Sequence, residues 1–341
     1  KGKKFADEIF NILILILFSI ILVVEIFTPY VVNIIAPGFE TNTQKFNLAV
    51  EFTRITFPFL LFVSLSSFFS GILNSNNKFA AASAAPIILN IFLIISILIS
   101  YFYDLDVAKH LSYGVTFAGV TQLIFLIYFT YDFYRPNISV SFKITGRVKF
   151  FFKKLLPSVF SSGVTQINIL VGTIIASFQP GAVSFLYYAD RVYQINLAIA
   201  GIAVGTVSLP VLSKALKLKN YSKASNIQNR AIQLSLLLSI PASLGLIIAS
   251  EEIVNGLFGY GTFTLKDVEK TSNALMFFGY GVVAFALVKI LSNFFFARDN
   301  TKTPFYISSF IVFLNVVISL SLFEKIGFLI IPIATSISTW I

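Results

Sequence analysis

Cysteine is absent from the 341 residues, and histidine, methionine and tryptophan occur once each. The first absence excludes disulfides, thiolate metal sites and a cysteine nucleophile together. The single histidine, His110, falls in a short polar connection and is expected to be a solvated loop residue. There is no Walker pattern, no metal-ligand cluster and no serine–histidine pairing. Charge is scarce as well: 12% of residues are Asp, Glu, Lys or Arg, and the few acidic ones are scattered. A lipid-modifying membrane enzyme would gather acidic or histidine residues at one interface, so the chain reads as a non-enzyme without cofactor or metal.

What the chain has instead is apolar length. Hydrophobic residues make up 57% of it and the mean hydropathy is +0.86, far outside the range of an ordinary soluble domain. Runs such as Ile12-Leu13-Ile14-Leu15-Ile16-Leu17 do not alternate, which excludes a β-barrel and leaves helices as the spanning element. The fold class is therefore all-α, a polytopic transmembrane helical bundle. At about 20 residues per span, ten spans are read, at about 9–35, 48–73, 79–102, 112–131, 155–178, 182–213, 227–250, 272–296, 304–323 and 326 to the end. Prolines at 29, 58, 86, 157, 210, 241 and 332 interrupt them and permit bends. Most of the 39 phenylalanines are expected to face lipid.

The net charge of +10 does not indicate nucleic acid, because in a membrane protein the placement of Lys and Arg carries the information. Seventeen of these residues fall in connections on the side of Lys1, and five, Lys45, Lys109, Lys266, Lys270 and Lys325, on the other. The positive-inside rule puts Lys1 in the cytoplasm. The longest link, 132–154, interleaves Arg147, Lys149, Lys153 and Lys154 with Phe150, Phe151 and Phe152, and suits either simple positive-inside charge or an amphipathic helix on anionic lipid. Glu251 to Thr271 reads as a turn with a short helix.

An internal repeat organises the spans. Val32-Asn33 with Gly38-Phe39 returns as Val254-Asn255 with Gly259 to Phe263, Lys78 as Lys302, and Leu89-Asn90 as Leu314-Asn315, at offsets of 222, 224 and 225 residues. Spans one to four thus correspond to spans seven to ten. A shift of six helices preserves topology and gives two pseudo-symmetric lobes related by an axis along the membrane normal. The expected division is 1–131 as an N-lobe with four helices of six, 132–154 as a basic linker and 155–341 as a C-lobe of six helices with the last truncated. Two further helices are then expected before Lys1.

Within the sixth span, Asp190 and Arg191 interrupt an apolar run from about Ala182 to Leu212. A charge at the bilayer centre costs about 2.5 to 3.5 kcal/mol on insertion scales, so the pair must face protein or a water-filled cavity. Ser184, Tyr187 or Tyr188, Arg191 and Ile195 share one helix face, and Asp190 lies to the side. Arginine's planar fork of donors suits a phosphate or diphosphate. A structural pair locking two helices is the other reading. Ala198, Gly201 and Gly205 continue the helix with small-residue spacing that favours close packing. Among the remaining intramembrane charges Glu25, Glu51, Arg54 and Lys289, the Glu51–Arg54 spacing suggests a local pair, and Lys289 is a candidate for the same cavity.

Gly163-Val164-Thr165-Gln166-Ile167-Asn168, Ile175-Ala176-Ser177-Phe178, Tyr187-Tyr188-Ala189-Asp190-Arg191 and Gly205 through Leu209-Pro210 resemble the MurJ (MviN) family of lipid II flippases. Ala36-Pro37-Gly38-Phe39, Phe57-Pro58, Gly71-Ile72-Leu73-Asn74, Phe258 to Phe263 and Lys302-Thr303-Pro304 extend the resemblance over essentially the whole chain. It implies the multidrug/oligosaccharidyl-lipid/polysaccharide exporter fold, here from the family's third helix into its twelfth. The implied activity moves undecaprenyl-diphosphate-linked disaccharide-peptide (lipid II) to the periplasmic leaflet by alternating access, for peptidoglycan biosynthesis and cell shape. Ser184, Asp190 and Arg191 match cavity positions of the family, with Arg191 as diphosphate contact; the expected partners are lipid II and membrane lipids, and the expected state a monomer. Some relatives hold sodium through acidic residues where this chain has Gly172 and Ser319, retaining only Asn315, so sodium coupling is not expected. A related exporter of drugs or polysaccharide-linked lipids with the same fold is the alternative.

Overall fold

A computed structural model describes residues 2–138 and 145–341; in the helix that follows, the side chains of 154, 156–162, 164 and 165 are not described. The expectations that fall on Lys1 and Lys143, and on the side chains of Lys154, Pro157, Val164 and Thr165, lie outside that set. Among the described residues there is no strand. The helices are α1 (Gly2–Ile26), α2 (Thr28–Ile35), α3 (Thr43–Thr56), α4 (Phe59–Ser75), α5 (Phe79–Tyr103), α6 (Val107–Thr130), α7 (Gly146–Ser177), α8 (Ala182–Leu197), α9 (Val204–Lys217), α10 (Tyr221–Ile248), α11 (Ser250–Phe258), α12 (Leu265–Phe296), α13 (Lys302–Ile326) and α14 (Ile330–Trp340). A π-helical segment, Ala198–Ala203, joins α8 to α9 without a break.

Eight stretches among the described residues are long and apolar enough to cross a membrane: 2–26, 43–75, 79–103, 107–130, 182–217, 221–248, 265–296 and 302–340. Two of the ten expected spans differ from this set. The fifth belongs to α7, which starts at Gly146 inside the basic link and in which the described apolar part is Gln166–Ser177. The tenth is α14, only 11 residues, set off from α13 by a turn at Gly327 (φ 74°). Gln179 fixes that turn, its Oε1 accepting from the Phe328 N–H at 2.6 Å. The first expected span is also broken, because Pro29 starts a separate short helix α2 after Phe27. Pro58 separates α3 from α4, whereas Pro86, Pro210 and Pro241 lie inside uninterrupted helices.

The chain divides into two compact units, Lys1–Ser158 and Val159–Ile341. In the first, Phe10 and Leu17 of α1 pack with Leu65, Phe69 and Leu73 of α4 and Leu126 of α6. Tyr134 closes this core: it is 5% exposed and its hydroxyl donates to Asp7 Oδ1 at 2.8 Å. Asp7 Oδ1 also accepts from the Asn137 N–H, and Glu8 Oε2 from the Thr145 hydroxyl at 2.7 Å, so the start of α1 holds both described ends of the basic link. Phe151 meets Phe5 edge-on at 5.9 Å between centroids.

In the second unit α12 is the hub. Its buried positions recur along the whole helix, from Val268 through Val282 to Phe294, and it packs against α8, α10 and α14. Ser243 of α10 donates to Gly279 O, Ser336 of α14 to Phe277 O and Trp340 Nε1 to Tyr280 O, at 2.7, 2.7 and 2.8 Å. Hydrogen bonds of this kind hold helices together where apolar burial supplies no driving force.

The repeat reappears as local architecture. In each unit a long helix is followed by a short one, α2 or α11, and then by a span that ends in a left-handed turn residue, Asn77 (φ 58°) or Asp299 (φ 57°). A 25-residue helix follows in both, α5 or α13, closed by Asp104 (φ 51°) or Gly327. The stretch 251–271 is α11, a glycine turn and the start of α12, where Thr264 and Asp267 form a reciprocal capping box.

Candidate cavity face on α8

Helix α8 is two-faced. Ala182, Phe185, Ala189, Val192 and Tyr193 are buried in the core of the second unit, while Ser184, Tyr187, Tyr188, Arg191 and Ile195 are exposed. The serine and arginine therefore share the open face that their spacing of seven predicts. No hydrogen bond or ion pair joins Asp190 to Arg191. The Arg191 guanidinium lies over the Tyr187 ring one turn back, 4.6 Å from its centroid, and the half-buried Asp190 accepts a hydrogen bond from the Gln194 side chain. Asp190 and Arg191 thus make two separate contacts, each with a residue on its own helix. The geometric reason is that consecutive residues point about 100° apart on a helix, whereas i and i+4 lie above one another.

Two residues of this site were not singled out from the sequence. Gln194 was legible as the i+4 partner of Asp190. Tyr193 was not: its ring stacks on Phe278 at 5.2 Å, and its buried hydroxyl has no hydrogen-bond partner among the described residues. Tyr188 packs against Phe258 and Phe263, which anchors the open face to α11 and the glycine turn.

Beyond Leu197 the helix widens into its π segment, and the small residues there face α12. A Cβ on Gly201 would meet Ala286 Cα at 3.2 Å, and one on Gly205 would meet Asn293 Nδ2 at 2.4 Å. Close packing is their role, except that Ala198 is exposed. Lys289 is exposed beside Gly201. Ten residues separate Gly201 from Arg191, roughly 15 Å of helix at 1.5 Å per residue, so Lys289 starts from a different level of the helix than Arg191.

The other intramembrane charges lie in the first unit. Glu51 pairs with Lys109 of α6, Nζ to Oε1 at 2.7 Å, and not with Arg54. This is the one ion pair among the described residues, and both partners remain 44% exposed. Glu25 Oε1 is buried without a hydrogen-bond partner among the described residues. His110 is not in a loop. It lies in the first turn of α6, its Nδ1 2.8 Å from Asp106 O, because Asp106 caps the helix by accepting from the Lys109 N–H and so starts it earlier than the apolar run does.

The positions that the resemblance links to sodium, Gly172, Asn315 and Ser319, carry no carboxylate. Asn315 Nδ2 donates to Thr335 Oγ1 at 2.8 Å, and Asn315 Oδ1 accepts from Ser319 at 3.3 Å, so these polar groups satisfy one another. A Cβ on Gly172 would lie 3.4 Å from Ile331, an apolar neighbour. Among the described residues no group of three or more His, Cys, Asp or Glu is placed to hold a metal ion.

Comparison with known proteins adds the family. The chain matches the family model described as "Lipid II flippase MurJ" over residues 1–341. It is 37% identical over its whole length to a probable lipid II flippase MurJ of Rhizobium tropici and 39% identical over 99% of its length to that of Rickettsia prowazekii (strain Madrid E). It spans 64% and 67% of those two proteins. A solved lipid II flippase MurJ in an inward closed conformation superposes with a TM-score of 0.86 at 27% identity, covering 99% of this chain and 70% of that one. An inward-facing multidrug resistance MATE transporter of the MOP superfamily superposes at 0.76 with 14% identity, over 99% and 79% of the two chains, which shows the shared fold. The chain is a multi-pass membrane protein, and it belongs to the MurJ family of lipid II flippases.

Proposed function

We propose that this protein carries a lipid-linked peptidoglycan precursor, lipid II, from the cytoplasmic to the periplasmic leaflet of the bacterial inner membrane by alternating access. The observation that carries the reading is the state of Arg191. It is a permanently charged fork on an exposed face of an apolar helix, steadied by the Tyr187 ring and unpaired with the carboxylate next to it. Such a group has its donors free for a diphosphate. Ser184 supplies a hydroxyl on the same face. Asp190, held by Gln194, lies one step aside from the site, and Lys289 serves at a separate level. The protein works as a monomer without catalytic chemistry of its own, the Lys1 side faces the cytoplasm, and 1–131, 132–154 and 155–341 act as N-lobe, linker and C-lobe. Matching relatives described as probable lipid II flippases support this over a drug exporter, which shares only the fold.

Complementation tests it. In the full-length protein, Arg191→Ala should abolish growth of a flippase-depleted strain while membrane insertion is normal, and Arg191→Lys should restore it in part, since charge is retained without the planar fork. Full growth of Arg191→Ala at normal expression would sink the assignment.

A further inference from the structure

A cavity of about 570 Å³ opens in the first unit where α4 ends, α5 begins and α6 ends, lined among others by Leu73, Asn77, Lys78, Phe129, Asp132 and Phe133. Leu73 forms its floor, 1% exposed, and Phe129 and Phe133 are exposed aromatic walls. The volume is in the range of small-ligand sites. Lys78 and Asp132, both exposed, line this one opening with opposite charges and do not pair; among the described residues no hydrogen bond or ion pair engages either side chain. Arg135, the nearest other cation in sequence, is turned away onto the Tyr131 ring, 3.8 Å from its centroid, with Nε donating to Tyr131 O. Asn77 holds the left-handed turn that presents Lys78.

Two unpaired charges of opposite sign beside apolar walls at a helix-end surface call for a ligand that carries both charges and an apolar body. We propose that this cavity binds the headgroup of a zwitterionic aminophospholipid, the phosphoethanolamine phosphate on Lys78 and its ammonium on Asp132, with the acyl chains running along the Phe79 and Phe129 side. A second groove offers the internal contrast. In the second unit about 410 Å³ is lined by Lys214 and Lys223 with Pro210, Val211, Ala215, Leu218 and Asn220, and no carboxylate, so it has no partner for an ammonium group. The aminophospholipid preference therefore belongs to the Lys78–Asp132 cavity.

Native mass spectrometry of the purified protein, with phosphatidylethanolamine and phosphatidylglycerol of matched acyl chains, reads the site. Asp132→Asn should lower bound phosphatidylethanolamine about fivefold, the upper range of an exposed charge contact, and leave phosphatidylglycerol unchanged. Lys78→Gln should also lower phosphatidylethanolamine. Unchanged phosphatidylethanolamine binding in both variants overturns the proposal. Hydrogen exchange of the wild-type protein in nanodiscs tests it without substitution: the segments at 76–81 and 131–133 should be slower in phosphatidylethanolamine than in phosphatidylglycerol, and equal exchange in the two lipids contradicts it.

Discussion

Asp190 and Arg191 are adjacent in the chain, yet each is held by the residue one turn away, Asp190 by Gln194 and Arg191 by Tyr187. No hydrogen bond or ion pair joins the two, so an arginine beside a carboxylate still presents its guanidinium on the open face. Sequence patterning recovered the open face of α8 because periodicity of 3.6 is a local property. It missed Glu51–Lys109, whose partners lie on α3 and α6, because a pairing between distant segments has no local signature. Tyr134 yields a prediction at this scale. Burial, and then its hydrogen bond to Asp7, push the phenol well above its ordinary value of 10.0. Below that value both folded and unfolded chains keep the proton, so the contribution is fully present. Above it the unfolded chain releases the proton first, and stability falls as pH rises. Tyr134→Phe should therefore flatten the loss of thermal stability between about pH 10 and 11 and cost about 1 kcal/mol at neutral pH for the lost hydrogen bond. Parallel pH profiles for variant and wild type would contradict this.

Long apolar runs made most of the helices legible, and the repeat placed them in order. Three departures have local causes: Pro29 splits the first run, α7 begins inside a charged link, and Gly327 with Gln179 ends α13 before the short α14. The π segment Ala198–Ala203 could not be read from its sequence, since Ala-Ile-Ala-Gly-Ile-Ala suits an α-helix equally well. Within it Gly201 lies close against Ala286 of α12, and Gly205, at the start of α9, close against Asn293. Gly205→Leu should force Asn293 aside and separate the two helices, lowering stability by about 1–3 kcal/mol as overpacking does. Exposed Ala198→Leu should cost less than about 0.5 kcal/mol. Thermal unfolding of the two variants in one detergent decides between them; equal losses would remove the packing role from this face.

At the scale of the molecule, the chain joins two units that repeat one local plan, and its intramembrane charges are distributed unequally between them. The first holds Glu25, Arg54 and Glu51, the last paired with Lys109 at the start of α6, and the second holds Asp190, Arg191 and Lys289. The central claim is that Arg191 receives the diphosphate of lipid II, and equilibrium binding of lipid II to the full-length protein tests it most directly. Wild type should bind lipid II and be competed by undecaprenyl diphosphate, while Arg191→Ala should lose affinity by a factor of about ten or more, as for a charge-assisted contact of about 1.5–3 kcal/mol. Undiminished binding of lipid II by a folded Arg191→Ala protein would contradict the account.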